Sequence, residues 1–251
     1  DIEQRQQVEY DLTRGTLSNQ TPTSGRFSQG RASREFRDYE QEHTINAAAL
    51  NGTHVVTNWL VEWRAGVSRG QRDTPNRVDW EFRSAVNAFP NTDDTSDTAA
   101  PLVTPSANFY DPAAYPFRRV RFRTDLERED VVTGEVSLRR ELAVAERRVY
   151  WKAGAKFVGR DKTQDRTNRN YTGTGFTLAD FGLGGQGPTD FFEGHAPFGP
   201  TLNLEALQQF FDANPSFFTF DSLATQADSA TQDFQADEQV TAGFLMGQID
   251  F

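Results

Sequence analysis

The sequence contains no cysteine, one methionine and three histidines. Without cysteine there is no disulfide framework, no thiolate metal site and no cysteine nucleophile. His43, His54 and His195 show no metal-ligand spacing, so each reads as a surface or loop residue. Long apolar runs are also missing. The longest are a few residues, far short of the roughly 20 that a membrane-crossing helix needs, and a helical membrane protein is excluded. A basic excess is missing too: 26 basic residues, mostly arginine, stand against 36 acidic ones for a net charge of -10. That balance argues against a nucleic-acid partner, because neutralising phosphates needs positive charge. The chain opens at Asp1 with no basic stretch followed by an apolar core, so any secretion signal has been removed or lies outside this sequence.

What is present is period two. Trp59, Val61, Trp63, Ala65 and Val67 alternate with Leu60, Glu62, Arg64, Gly66 and Ser68. Val8, Tyr10 and Leu12 alternate with Glu9, Asp11 and Thr13, and Val132, Gly134, Val136 and Leu138 with Thr133, Glu135, Ser137 and Arg139. Val149, Trp151, Ala153, Ala155 and Phe157 alternate with Tyr150, Lys152, Gly154, Lys156 and Val158. These bursts predict strands with one apolar face. A further strand is expected at about 36–50, ahead of Asn51-Gly52, a two-residue hairpin signal. The last burst, from Gln239 to Phe251, carries apolar residues on both parities and leaves its faces open. Low mean hydropathy, at -0.67, is neutral here, because the strands of a membrane barrel alternate lipid-facing and lumen-facing residues.

Connection lengths separate a soluble sandwich from a barrel. Links at Asn51-Gly52 and 140–146 are short, and those at 18–35, 70–118 and 161–237 are long, in strict alternation. Outer membrane barrels have short periplasmic turns and longer extracellular loops, and compact soluble domains rarely carry structureless links of such length. The expectation is therefore an all-β chain: an antiparallel transmembrane β-barrel segment of about six strands. Within the loops, Asn203 reads as a helix N-cap ahead of Leu204, Leu207, Phe210 and Phe211, with Pro215 past the end. The acidic stretch 91–97 reads as solvated coil. Asp93, Asp94 and Asp97 do not match a calcium-loop spacing, and Gly182-Leu183-Gly184-Gly185 lacks the Lys-Ser/Thr ending of a phosphate loop.

No constellation carries covalent chemistry, and neither a catalytic residue, a metal site nor a cofactor is expected. Arginine and aromatic residues crowd the long loops: Arg77, Trp80, Phe82, Phe109, Tyr110, Tyr115, Phe191 and Phe192. Such side chains anchor ligands; they also supply the small core that a long loop needs. Glu62, Arg64, Lys152 and Lys156 fall on the polar parity of their strands and are the candidates to face a lumen.

Specific segments resemble the barrel of TonB-dependent receptors. Arg72-Asp73-Thr74-Pro75-Asn76-Arg77 followed by Trp80-Glu81-Phe82-Arg83 is similar to a strand-to-loop segment of those barrels. The run from Lys156 to Lys162, then Asp165-Arg166-Thr167-Asn168 and Leu178-Ala179-Asp180-Phe181, resembles a later strand and loop. Ala242 to Phe251 resembles the next descending strand. The resemblance implies a plugged barrel of about 22 strands in the bacterial outer membrane. It also implies energised uptake of a scarce nutrient such as an iron chelate, cobalamin or an oligosaccharide. Its partners would be membrane lipid, a plug domain and TonB. No plug or TonB-interacting segment is recognisable here, and about six strands fall below the eight of the smallest barrels. Two alternatives stay open: a soluble secreted β-rich binding or carbohydrate-active domain, and a passive porin.

Overall fold

The computed structural model describes residues 2–11, 15–144, 147–181, 187–188, 191–194 and 198–249. The chain is predominantly antiparallel β. Its strands are β1 (Ile2–Asp11), β2 (Leu17–Ser18), β3 (Ser24–Phe27), β4 (Arg31–Val56), β5 (Trp59–Arg83), β6 (Asn91–Asp94), β7 (Leu102–Pro105), β8 (Phe117–Val144), β9 (Arg147–Gly173), β10 (Phe218–Phe220) and β11 (Phe234–Ile249). Two α-helices, α1 (Leu204–Ala213) and α2 (Ser222–Ala230), lie in the link between β9 and β11. The large sheet runs β1-β4-β5-β8-β9-β10, with β11 also paired to β9; β2, β3, β6 and β7 form a small second sheet. Among the described residues the large sheet does not close on itself, and no helix is long and apolar enough to cross a membrane.

The chain divides into two compact units. The first holds Asp1–Glu40, Asn76–Arg123 and Asn168–Asp228, and the second holds Gln41–Pro75, Thr124–Thr167 and Ser229–Phe251. Among the described residues the continuous apolar core lies in the first unit, built on Phe36, Trp80, Phe82, Phe109, Phe117, Leu178 and Leu207 among others. Helix α1 contributes to it as its spacing predicts. Asn203 Oδ1 accepts from Ala206 N at 3.2 Å, which satisfies a backbone donor of the first turn, and the helix buries Leu207 and packs Phe210 and Phe211 against the core.

Three expectations are corrected. Asn51-Gly52 is not a turn: β4 runs through it to Val56, and the hairpin turns at Thr57-Asn58. Gly52 instead makes room for an indole, since a Cβ there would stand 2.5 Å from Trp63 Nε1. The long links are also shorter than drawn. Residues 31–35, 70–83, 117–118, 161–173 and 234–237 are strand. From Gly70 to Arg77 both faces are polar, so the hydrophobic alternation fades there and returns only at Val78, Trp80 and Phe82, while the strand continues; Arg77 and Trp80 consequently lie on β5, not in a loop. Finally, Asn91–Asp94 is strand β6, paired to β3 and β7, with Asn91 buried.

Thr57 enters its turn at φ +56°, a region that disfavours a β-branched side chain. Thr57→Gly should relieve that strain against a smaller loss of unfolded-chain entropy, a net gain of up to about 1 kcal/mol. The urea midpoint measures it; a fall in midpoint would contradict the turn geometry.

Candidate functional site

The second unit is a five-stranded sheet formed by parts of β4, β5, β8 and β9 with β11. Antiparallel partners point to the same face, so the register assigns the strand whose sequence was ambiguous. Leu245 pairs with Ala153, Gly247 with Trp151, Ile249 with Val149 and Thr241 with Phe157, whereas Ala242 pairs with Lys156 and Met246 with Lys152. The odd residues of β11 therefore join the apolar parity of β9. Contacts carry the same division across β5 and β8. Glu62 Oε2 receives Lys152 Nζ at 2.9 Å and Ser137 Oγ at 3.3 Å, while Trp59 and Trp151 meet edge to face at 5.1 Å.

One face is thus an apolar band: Val61, Ala65 and Val67 on β5; Val132, Val136 and Leu138 on β8; Ala153 and Phe157 on β9; Leu245 and Ile249 on β11. Val67, Val132 and Leu245 are 55%, 51% and 79% exposed, so nothing in the described chain covers this band. Its turn end carries Trp59, Trp63 and Trp151. Trp63 Nε1 donates to His54 Nε2 at 3.2 Å, and the Arg140 guanidinium lies 5.1 Å over the Trp59 ring. Its other end is closed by Arg69, Arg128 and Asp130. From Trp59 to Arg69 is about ten residue rises, about 33 Å along the strand.

The opposite face is charged. Besides Glu62 with Lys152, it holds Glu127 between Arg72 and Lys162, and Arg160 bridging Glu129 and Glu238, each at 2.9 Å. Arg64 and Lys156 share this face with Glu62 and Lys152 by strand alternation, so all four residues expected on a polar lumen side stand together. The face is not purely polar, since Ile45, Val240, Phe244 and Met246 are exposed on it. Exposed ion pairs of this kind each contribute about 0–1 kcal/mol; they make the face tolerant of water more than they stabilise it.

In the first unit, the aromatic residues expected to meet a ligand are mostly core. Trp80, Phe109 and Tyr115 are buried. Trp80 packs edge-on to Phe117, Phe211 and Phe218, and Phe82 likewise to Phe117 and Phe181. These side chains are not surface anchors, because the long links fold into a core of their own. Tyr110 and Phe191 expose an edge. Phe191 packs edge-on to Phe198. The side chain of Phe192 and all of His195 lie outside the described residues. Arg77 is committed to Asp79, with Nε 2.9 Å from Oδ2, and Arg37 Nε reaches Oδ1 at 2.6 Å. Burial alone would raise the Asp79 carboxyl, but these two guanidiniums outweigh it and hold it below the usual range. Among the described residues no group of His, Asp and Glu is arranged to hold a metal ion.

Two charged centres escaped the sequence reading. Glu81 is 3% exposed and receives Arg118, Arg83 at 2.7 Å and Arg119 at 2.7 Å. Arg34 is wholly buried without a carboxylate partner among the described residues. Nη1 donates to Phe198 O at 2.7 Å and Pro200 O at 3.1 Å; Nη2 donates to Phe109 O at 3.3 Å and Tyr115 Oη at 3.1 Å. The cation also sits 4.7 Å from the Phe109 ring centre and 4.5 Å from that of Tyr115. The Arg77/Asp79 pairing is legible as an i, i+2 neighbour on one strand face; Arg34 has no local signal, because its partners lie far away in sequence.

Burial pushes the Tyr115 phenol up to about 12, with Arg34 pulling the other way. An unfolded tyrosine ionises near 10, so stability from the protonated phenol is complete below about pH 10. It is lost as pH rises toward about 12, because the unfolded chain releases its proton first. Denaturant titrations across that window should show a loss approaching about 2–3 kcal/mol. Tyr115→Phe should flatten part of it; an unchanged slope would assign the loss elsewhere, with Tyr10, also raised by burial, the next candidate.

No family model, curated protein or solved structure matches this chain.

Proposed function

We propose that this chain is part of the barrel of a TonB-dependent outer membrane receptor, taking up a scarce nutrient such as an iron chelate, cobalamin or an oligosaccharide. The observation that carries the membrane reading is the second unit's two-sided sheet. Its exposed apolar band is about 33 Å long along the strand, which at the usual tilt of barrel strands would stand about 25 Å tall, the height of the lipid-facing band of outer membrane barrels. Three tryptophans stand at the short-turn end, as interfacial aromatics do. The opposite face, with Glu62, Arg64, Lys152 and Lys156, is the lumen side. The aromatic-cored first unit, which contains the long links, is the extracellular part. The open edges of the sheet require further strands, since an unpaired edge is not tolerated in lipid.

The soluble-domain alternative has one observation in its favour, the first unit's well-packed core. It leaves the apolar band of the second unit facing water, at a size that soluble monomers rarely expose. Refolding the full chain with and without detergent micelles separates the two. The expected outcome is aggregation of this chain in plain buffer and, for the product of the complete gene, cooperative unfolding in detergent; a monomer of this chain that unfolds cooperatively in plain buffer would remove the membrane reading. Energised transport has its own test: ligand uptake by cells expressing the complete gene, with and without TonB. Equal uptake would leave a passive porin.

A further inference from the structure

The small second sheet lies wholly in the first unit and turns a polar face outward. Its register sorts the side chains, because directly opposed residues of antiparallel strands share a face. Ser18, Arg26, Thr92 and Thr104 stand in one row across β2, β3, β6 and β7, and Ser24, Asp94 and Leu102 form the next row on the same face. All of these are exposed except the half-buried Ser24. The other parity, with Phe27, Val103 and the buried Asn91, is turned inward. A depression of about 450 Å³ opens on the outward face, lined by Arg26, Thr92, Asp94, Leu102 and Thr104 with Asn19 beside them. That volume lies within the roughly 300–1,000 Å³ of small-molecule sites.

The polar groups of this depression are open to a ligand. Among the described residues the Arg26 guanidinium makes no hydrogen bond or ion pair, although Asp94 is its diagonal neighbour. Asp94 Oδ1 accepts from Ser96 N at 2.9 Å. Hydrogen bonds from the Ser96 backbone and side chain hold this carboxyl below its usual range, so it is an ionised acceptor, and a carboxylate has lone pairs for further donors. Asp93 also borders the depression, but its carboxylate is turned to the other face, where Oδ1 is buried 3.3 Å from the place a Cβ on Gly25 would take. The outward face therefore holds one guanidinium, one carboxylate and several hydroxyls, with no net charge. We infer that this depression binds a neutral oligosaccharide, whose vicinal hydroxyls donate to Asp94 and accept from Arg26 while sugar C–H edges meet Leu102. The inference rests on the receptor reading, which leaves three nutrient classes open, and it selects one of them. An anionic iron chelate gains little from a guanidinium balanced by Asp94 on a chain of net charge -10. The broad corrin ring of cobalamin needs apolar contact area, and Leu102 is the one large apolar side chain lining this depression. Sugar hydroxyls donate and accept at once, as the guanidinium fork beside a carboxylate requires.

The test is calorimetric titration of the complete gene product in a detergent without a sugar headgroup. Maltohexaose, cellohexaose and xylohexaose are the neutral probes, and hexagalacturonate, ferric citrate and cyanocobalamin the comparisons. At least one neutral hexasaccharide should bind, and Arg26→Ala and Asp94→Asn should each weaken it about tenfold, the effect of losing one hydrogen bond to a charged group. Both positions are exposed, so the urea midpoint should stay that of the unaltered protein. Neutral-sugar binding that ignores both substitutions would overturn the site, as would no binding of any neutral probe. A preference for hexagalacturonate that Arg26→Ala alone abolishes would also overturn it, assigning an anion site. Ferric citrate or cyanocobalamin bound in place of the sugars would overturn this inference and leave the receptor reading standing. Conversely, sugar bound with the expected losses by a protein that is monomeric in plain buffer would uphold the site and remove the membrane reading.

Discussion

Ala153→Arg is expected to cost about 2–4 kcal/mol of folding free energy in a bilayer, the range for a cation near the midplane of a barrel's lipid face. Ala153 sits halfway along the β9 stripe from Val149 to Phe157, opposite Leu245 on β11. Ala242→Arg is the matched control. It makes the same substitution on a neighbouring strand but on the charged face, opposite Lys156. There the new cation meets water and one like charge, a penalty of less than about 1 kcal/mol. The difference between the two variants, made in the complete gene product and measured by urea titration in phosphatidylcholine vesicles, reads out which face touches lipid. If the faces were those of a soluble sheet, the ordering would not depend on the presence of a bilayer. Equal costs for the two variants would remove the assignment of the apolar band to lipid.

That experiment is possible because alternation within the band is legible in the sequence. The faces of β5, β8 and β9 follow from Trp59–Ser68, Val132–Arg139 and Val149–Val158 by counting alone. Where two patterns competed, counting failed. Asn51-Gly52 carries a turn signal, yet the glycine serves the indole of Trp63 across the strand, a contact with no local trace. The strand ends beyond Arg69 are held by ion pairs such as Arg72 with Glu127 and Arg37 with Asp79. The stretch from Gly70 to Arg77 reads as polar loop because neither of its faces is apolar, and the alternation that resumes at Val78, Trp80 and Phe82 is cut off from the earlier burst by it. Helix α1 was legible because its cap, its spacing and its stop all agree locally. The aromatic residues of the long links were visible as a group, but their direction was not. Trp80, Phe109 and Tyr115 turn inward because partners from three separated segments converge on them, and sequence periodicity says nothing about such convergence.

The buried cation beneath those links gives the other large effect. Arg34→Met keeps most of the volume and removes the charge, so the cost of burying a guanidinium, which lowers its proton affinity, is relieved. Against this, Phe198 O and Pro200 O lose their donor, at about 1–3 kcal/mol for each unsatisfied group. The stacking on Phe109 and Tyr115 goes with it, and a desolvated cation over an aromatic ring contributes about 2 kcal/mol. Phe109 O keeps Tyr115 Oη as a donor at 2.7 Å and does not add to the loss. The losses outweigh the relief, and a net destabilisation of about 2–5 kcal/mol is expected. Arg34→Lys should fall between, because one ammonium cannot reach both pairs of acceptors from a single point. The effect should also be local. Gly199, at φ +74°, lies against the guanidinium and has no space there for a Cβ, so Gly199→Ala should push the arginine off its carbonyls. Hydrogen exchange of the segment around 198–202 should then quicken in Arg34→Met and Gly199→Ala alike, while amides of the second unit keep their protection. Uniform loss of protection across the chain would mean that Arg34 holds the whole fold rather than the links, and unchanged exchange would mean that it holds neither.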